Sequence, residues 1–185
     1  IGDEAFYECK ALTTVKTSDL GIRTIGTRAF YGCSALKTIK LSSNLTEIGE
    51  KAFEKCSSLE SIELPSTLKT LKEGAFNGCV ALKSVNIPAA LTELWFAFDG
   101  CTSIESFNVS EDNQAFMSID GVIYTKDGTT ICSYPCGKKD KTFIQFTKTR
   151  MCVLLLLIPL LMMLLQSIKY TRANEEVDED VDLIS

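Results

Sequence analysis

The cysteines are the side chains of this 185-residue sequence with the most obvious capacity for chemistry. Five of them recur once every 22 to 24 residues, at Cys9, Cys33, Cys56, Cys79 and Cys101. Structural zinc sites use closely spaced cysteines, often together with histidine, and this sequence contains no histidine. We therefore predict a structural ladder of small, buried cysteine side chains, and we expect neither a metal nor a cofactor.

Three further cysteines lie outside this regular spacing. Cys132 and Cys136 are close enough in sequence to pair in an oxidising compartment. Cys152 lies at the start of an apolar run, and we consider two alternatives for it, a palmitoylated cysteine or a free thiol.

The sequence offers little support for catalysis or for nucleic-acid binding. It has no phosphate loop, nucleophile elbow or metal motif, and the absence of histidine removes the commonest general base. The net charge is −5, and residues 173–185 alone carry −6, so the rest of the chain is near neutral at +1. We predict a protein that is not an enzyme and that does not bind nucleic acid.

The regular cysteines belong to a longer repeat. Each ends an Ala-Phe-x-x-Cys element, and Leu or Ile follows three residues later, with Val, Ile or Phe three residues beyond that. A period this short holds one strand, one turn and a return path, which is one coil of a solenoid. Pro65 and Pro88 are expected to end their strands, and Ala-Phe-x-x-Cys to form a single helical or 3₁₀ turn.

These residues resemble the repeat of the BspA-like, or Treponema-type, leucine-rich-repeat family, Ile-Gly-x-x-Ala-Phe-x-x-Cys-x-x-Leu-x-x-Ile-x-Leu-Pro. The copy at residues 48–70 matches that pattern nearly throughout, and five copies cover residues 1–109. The fifth copy departs from it, with Trp95 and Phe96 in place of small or polar residues. The resemblance implies a leucine-rich-repeat solenoid, a right-handed superhelix of parallel strands joined by short turns.

The segment 110–146 resembles a stretch that often interrupts the repeats of this family. Residues 122–125 and 129–134 read as two strands around a Lys-Asp-Gly turn, which predicts a β-hairpin.

A membrane anchor is predicted at residues 150–168. Fifteen apolar residues run from Met151 to Leu165 without a charge, and a helix from 151 to 168 would span about 27 Å against a hydrocarbon core of roughly 30 Å. Residues 169–185 then form an acidic, disordered tail. Lysines before the segment favour repeats in the cytoplasm, but with an assumed signal peptide we favour repeats outside.

Two kinds of short motif occur. Asn44 and Asn108 begin N-glycosylation sequons, and Glu179, Leu183 and Ile184 resemble an acidic di-leucine sorting signal.

The strongest candidate for a binding surface is the outward side of the predicted strands. Solenoids present such a surface to protein or glycan partners, although residues chosen for β propensity alone would look the same. The positions are Thr14, Lys16, Thr38, Lys40, Ser61, Glu63, Ser84, Asn86, Ser106 and Asn108.

The resemblance implies a cell-surface protein for adhesion or recognition, with a protein or glycan ligand on host matrix or other cells. The alternative is a non-adhesive scaffold, intracellular or secreted, that binds other proteins.

Overall fold

The structure is a computed structural model that describes residues 1–17 and 21–139. Short parallel strands follow one another along the repeats, and three antiparallel strands come after them. In chain order they are β1 (Thr14–Lys16), β2 (Thr24–Ile25), β3 (Thr38–Lys40), β4 (Glu47–Ile48), β5 (Thr70–Leu71), β6 (Ser84–Ile87), β7 (Glu93–Leu94), β8 (Ser106–Val109), β9 (Phe116–Ile119), β10 (Val122–Thr125) and β11 (Ile131–Ser133).

The repeats form a parallel solenoid, which confirms that part of the sequence prediction. One sheet contains β2, β4, β5 and β7 in that order, all parallel. The other side of each coil contributes the parallel pairs β1–β3 and β6–β8. The partners along these pairs are equivalent residues of neighbouring coils, for example Thr14 with Thr38 and Asn86 with Asn108.

The third coil interrupts the second of these sheets. Ser61–Leu64 forms no strand, so the continuous sheet expected from the repeat is instead two separate pairs. Backbone bonds still join this coil to its neighbours, at 3.3 Å from the Glu60 N–H to the Lys37 carbonyl and 3.4 Å from the Lys83 N–H to the Glu60 carbonyl.

The Ala-Phe-x-x-Cys element is a series of turns, and the prediction of a helical or 3₁₀ turn is wrong. In each coil the residue before Ala and the residue before Cys have positive φ, as at Arg28 (52°) and Gly32 (69°). This geometry directs alternate N–H groups out of the turn, so Arg28, Phe30 and Gly32 donate to carbonyls of the next coil at 2.7 to 2.8 Å. In a helical turn these N–H groups would bond to carbonyls of the same turn, and the hydrogen bonds between coils would be lost.

Stacked ladders of equivalent side chains fill the interior. The Phe rings of successive coils lie nearly parallel, with centroids 4.9 to 5.5 Å apart from Phe6 through Phe30, Phe53 and Phe76 to Phe98. Alanine, cysteine and leucine ladders accompany them and are almost entirely buried from the second coil onward. Because each ring meets its own kind above and below, one residue pattern builds the whole core.

The segment after the repeats is a three-stranded antiparallel sheet in the order β11–β10–β9, so the two-strand hairpin prediction is incomplete. The strand β9 was missed, and β11 is shorter than the predicted residues 129–134. β9 and β10 join through Asp120 and Gly121, whose φ values of 51° and 75° fit a tight hairpin turn. The Phe107 N–H donates to the Gly121 carbonyl at 2.8 Å, so this turn is hydrogen-bonded directly to β8.

No helix within residues 1–17 and 21–139 is long and apolar enough to cross a membrane. The predicted membrane segment 150–168, Cys152, and the tail with Glu179, Leu183 and Ile184 lie outside the described residues.

Candidate recognition face

The predicted outward positions form one surface, which we call the recognition face. Nine of its side chains are exposed and that of Ser106 is half-buried. They alternate with buried neighbours such as Ile39, Val85 and Phe107, as the two-residue period of a strand requires. Ser61 and Glu63 share this surface although their segment is not a strand.

The chemistry of the recognition face changes along the solenoid. Lys16 and Lys40 stand in register on β1 and β3. Glu63 follows in the third coil. On β6 and β8 the side-chain amide of Asn108 donates to the Asn86 side-chain oxygen at 3.1 Å. The face is thus cationic in the first two coils and neutral, with paired amides, in the fourth and fifth.

A groove of about 570 Å³ lies on the cationic part of this face. Its floor is aliphatic and its rim carries hydroxyls and charges. The lining residues are Thr14, Val15, Lys16, Thr38, Ile39, Lys40, Leu41, Ser43, Ser61, Glu63, Leu64 and Pro65.

The opposite side of the coils, at the turns, has its charges paired. Arg28 contacts Glu4 at 3.5 Å, and Lys72 contacts Glu47 at 2.6 Å. The Glu47 hydrogen bond and charge raise the pKa of Lys72. Lys55 bonds to the Tyr31 hydroxyl and lies 4.9 Å from the centre of its ring. These surface pairs contribute little stability each.

The cysteine ladder is held by thiol hydrogen bonds as well as by packing. The thiols of Cys33, Cys56, Cys79 and Cys101 each donate to the carbonyl of the phenylalanine one coil earlier, at 3.1 to 3.2 Å. Burial raises the pKa of Cys56 and of Cys101 to about 12. Burial also raises the pKa of Cys33 and, more strongly, that of Cys79. These four thiols therefore stay protonated and do not act as nucleophiles or metal ligands at neutral pH.

The remaining cysteines are placed differently. Cys9, in the first coil of the given sequence, is exposed, contrary to the expectation of a fully buried ladder, whereas Cys33, Cys56, Cys79 and Cys101 are buried. Cys132 is half-buried and Cys136 exposed, both as free thiols. Among the described residues, no group of histidine, cysteine or acidic side chains is arranged to hold a metal ion.

Both glycosylation sequons lie at the surface. Asn44 is exposed in the turn after β3, and Asn108 is exposed on β8 within the recognition face. Glycosylation of these two residues stays a prediction.

Asn113 is a buried polar residue that the sequence reading did not single out. It is 0% exposed, and its amide donates to the Pro88 and Leu91 carbonyls at 2.8 and 2.9 Å. Its oxygen accepts from the N–H groups of Ala115 and Phe116 at 2.8 and 2.7 Å. The repeat period could have identified this position, since Asn113 follows Leu45, Leu68 and Leu91 at successive repeats.

The fifth coil also carries two exposed aromatic residues, Trp95 at 57% and Phe96 at 65% of their full surface. Phe96 has a φ of 41°, at the position that Gly74 occupies one coil earlier. The sequence analysis had identified this copy as irregular at the same two residues.

Parallel coils with a one-per-coil ladder of Phe, Cys and Leu define a leucine-rich-repeat solenoid. The chain belongs to the BspA-type leucine-rich-repeat family, whose repeat pattern matches residues 1–120 in six copies. The match extends beyond residue 109, where the sequence prediction had ended the array, and so includes Asn113 and all of β9.

Solved structures show the same fold. The leucine-rich-repeat protein of Treponema pallidum is 34% identical, with a TM-score of 0.52, over 58% of this chain and 50% of that one. The pneumococcal vaccine antigen PcpA is 29% identical, with a TM-score of 0.62, over 68% of this chain and 31% of that one. A leucine-rich-repeat protein from Eubacterium ventriosum, 20% identical over 70% of this chain and 40% of that one with a TM-score of 0.52, is similar in fold alone.

The chain spans half or less of the length of these three solved relatives. Among curated proteins, no sequence match was found.

Proposed function

We propose that this protein is a cell-surface recognition or adhesion module, without enzymatic activity, that binds a protein or glycan through the recognition face. The observation that carries the proposal is the exposed row of polar and charged side chains from Thr14 to Asn108, with a 570 Å³ groove among them. The buried side of each coil is fully used by the core ladders, so recognition must use the outward side.

Surface placement is supported by the similarity to bacterial leucine-rich-repeat proteins, one of which is a vaccine antigen. In this proposal, the apolar segment 150–168 anchors the protein in the membrane, and the repeats lie outside the cell. The recognition face then meets ligands from host matrix or from other cells.

Blocking the recognition face tests the proposal. Cells that produce the protein would be measured for adhesion to immobilised matrix proteins and glycans, and the surface they bind best would be retained. Ser84→Arg with Ser106→Arg places two bulky side chains on β6 and β8, and we expect adhesion to fall at least about tenfold, as for loss of a central contact.

The matched control places the same two changes on the turn side, with Ser34→Arg and Ser57→Arg, two half-buried serines at equivalent positions of neighbouring coils. We expect this variant to adhere like the parent protein. Equal adhesion by both variants, with equal amounts at the cell surface, would contradict the assignment of binding to the recognition face.

A further inference from the structure

Lys16 and Lys40 form an uncompensated pair of like charges. Their Cα atoms are partners in the β1–β3 ladder, and both side chains are exposed. Adjacent strands lie about 4.8 Å apart, and like charges directly opposite each other destabilise a sheet. Within the described residues, neither lysine has an acidic group within ion-pair distance, whereas Lys10, Lys51, Lys72 and Lys139 each do.

Glu63, the next residue along this row, does not compensate the pair. It lies in Ser61–Leu64, which forms no strand, and the ion pairs of the described residues join it to neither Lys16 nor Lys40. Lys40, Ser61, Glu63 and Pro65 all line the groove.

The groove lining indicates the kind of ligand. Two cations, hydroxyls of Thr14 and Thr38, and aliphatic surface from Leu64 and Pro65 lie together. No aromatic ring lines the groove, so a sugar ring would find no stacking platform there. Lysine ammonium groups bind carboxylates, and the aliphatic side suits an apolar side chain next to the acid.

We propose that this groove binds an extended acidic segment of a partner polypeptide. One carboxylate lies between Lys16 and Lys40, and a neighbouring apolar side chain packs on Leu64 and Pro65. The inference rests on the proposed function, since it names the partner class of the recognition face.

The test measures binding of a short peptide of alternating Glu and Leu, with blocked ends and a fluorescent label, to the full chain in mild detergent. Fluorescence anisotropy gives the affinity. The parent should bind this peptide at least about tenfold more tightly than the same peptide with Gln in place of Glu. Lys16→Gln with Lys40→Gln should remove that preference, while Lys69→Gln with Lys83→Gln, two exposed lysines elsewhere, should keep it.

Glu63 provides a second, opposite readout. Glu63→Gln removes the one acidic side chain among the described residues that line the groove, so it should tighten binding of the acidic peptide about two- to threefold at low salt. The Lys16→Gln/Lys40→Gln protein should also melt roughly 1 to 2 °C higher than the parent, since the like-charge pair is gone. That rise shows that lost binding is not lost folding.

The proposal is overturned if the parent binds the Glu and Gln peptides equally, or if the control lysine pair matters as much as Lys16 and Lys40. It is also overturned if a sulfated polysaccharide such as heparin binds through these lysines while the acidic peptide does not. A failure here with adhesion still lost in Ser84→Arg/Ser106→Arg would sink only the acidic-peptide assignment and leave the proposed function standing.

Discussion

At the scale of single residues, Asn113 joins the last coils to the antiparallel sheet. Its amide occupies a position of the leucine ladder, yet all of its polar atoms are bonded to backbone groups of coil four and of the segment that enters β9. A leucine there would fill the space but leave the Ala115 and Phe116 N–H groups without their acceptor. Buried donors without acceptors cost about 1 to 3 kcal/mol each.

We therefore expect Asn113→Ala to lower the free energy of unfolding by about 3 kcal/mol. Urea denaturation followed by circular dichroism measures the change. Asn86→Ala is the matched control, because Asn86 is an exposed asparagine with one side-chain bond, and it should cost less than about 1 kcal/mol. Equal losses in the two variants would contradict the role given to Asn113.

The buried thiols make a second residue-scale prediction, about pH. The pKa of Cys56 is raised by burial to about 12 in the folded protein, above the ordinary value of 9.0 that the unfolded chain keeps. The unfolded chain therefore loses this proton first, so stability is full below pH 9 and falls as the pH rises toward 12. Each such thiol contributes a slope of up to about 1.4 kcal/mol per pH unit in that window.

Urea titrations at pH 8, 9 and 10 should show this fall in the parent protein. Cys56→Ala loses one thiol of the ladder, and its slope above pH 9 should be smaller even though the variant is less stable overall. An identical slope in parent and variant would mean that Cys56 does not keep its proton in the folded state.

At the scale of elements, the coil is the unit that the sequence predicts best. Ala29, Phe30 and Cys33 recur at a fixed period, and that period alone gives the buried ladders and the parallel strands. The turn conformation was not predicted, because the pattern of side chains indicates only which residues face the core. The left-handed backbone at Arg28 and Lys51 instead allows N–H groups of the turn to form hydrogen bonds between coils.

Two other elements were not predicted from the sequence, Ser61–Leu64 and β9. Ser61–Leu64 has the same alternation as the strands of other coils, so nothing in its pattern indicates the interruption. The strand β9 did have a signal, since Asp120-Gly121 between two apolar runs is a strong hairpin sequence. The outward positions of the candidate face were predictable residue by residue, but the groove beside Lys40 was not.

The irregular fifth coil gives a prediction at this scale. Phe96 adopts a φ of 41° while 65% exposed, so it bears backbone strain and buries little. Phe96→Gly should raise the free energy of unfolding by about 0.5 to 1 kcal/mol, because a left-handed conformation costs a bulky residue more than the added chain entropy of glycine. Thermal melting measures it.

The control for that prediction is Phe98→Gly, which removes a buried member of the ring stack and should destabilise by about 3 to 5 kcal/mol or more. A Phe96→Gly protein that is less stable than the parent would show that the exposed ring makes contacts that outweigh the strain.

At the scale of the whole molecule, the solenoid core holds the proposed binding surface in place. The core ladders fix the recognition face, because each outward residue stands next to an inward one that cannot move without opening a cavity. Partner binding is then expected to change the described part of the chain little, as in other pre-organised interfaces. With the proposed membrane anchor, the partners available to the repeats depend on which side of the membrane the repeats occupy.

The most direct test of this central claim is accessibility on intact cells that produce the full chain, with one tag inserted after Ser66 in the repeats and another after Ser185. We expect antibody and protease to reach the repeat tag, while the terminal tag is protected until the cells are permeabilised. A protected repeat tag would contradict the surface-recognition function and favour the scaffold alternative, with its partners inside the cell.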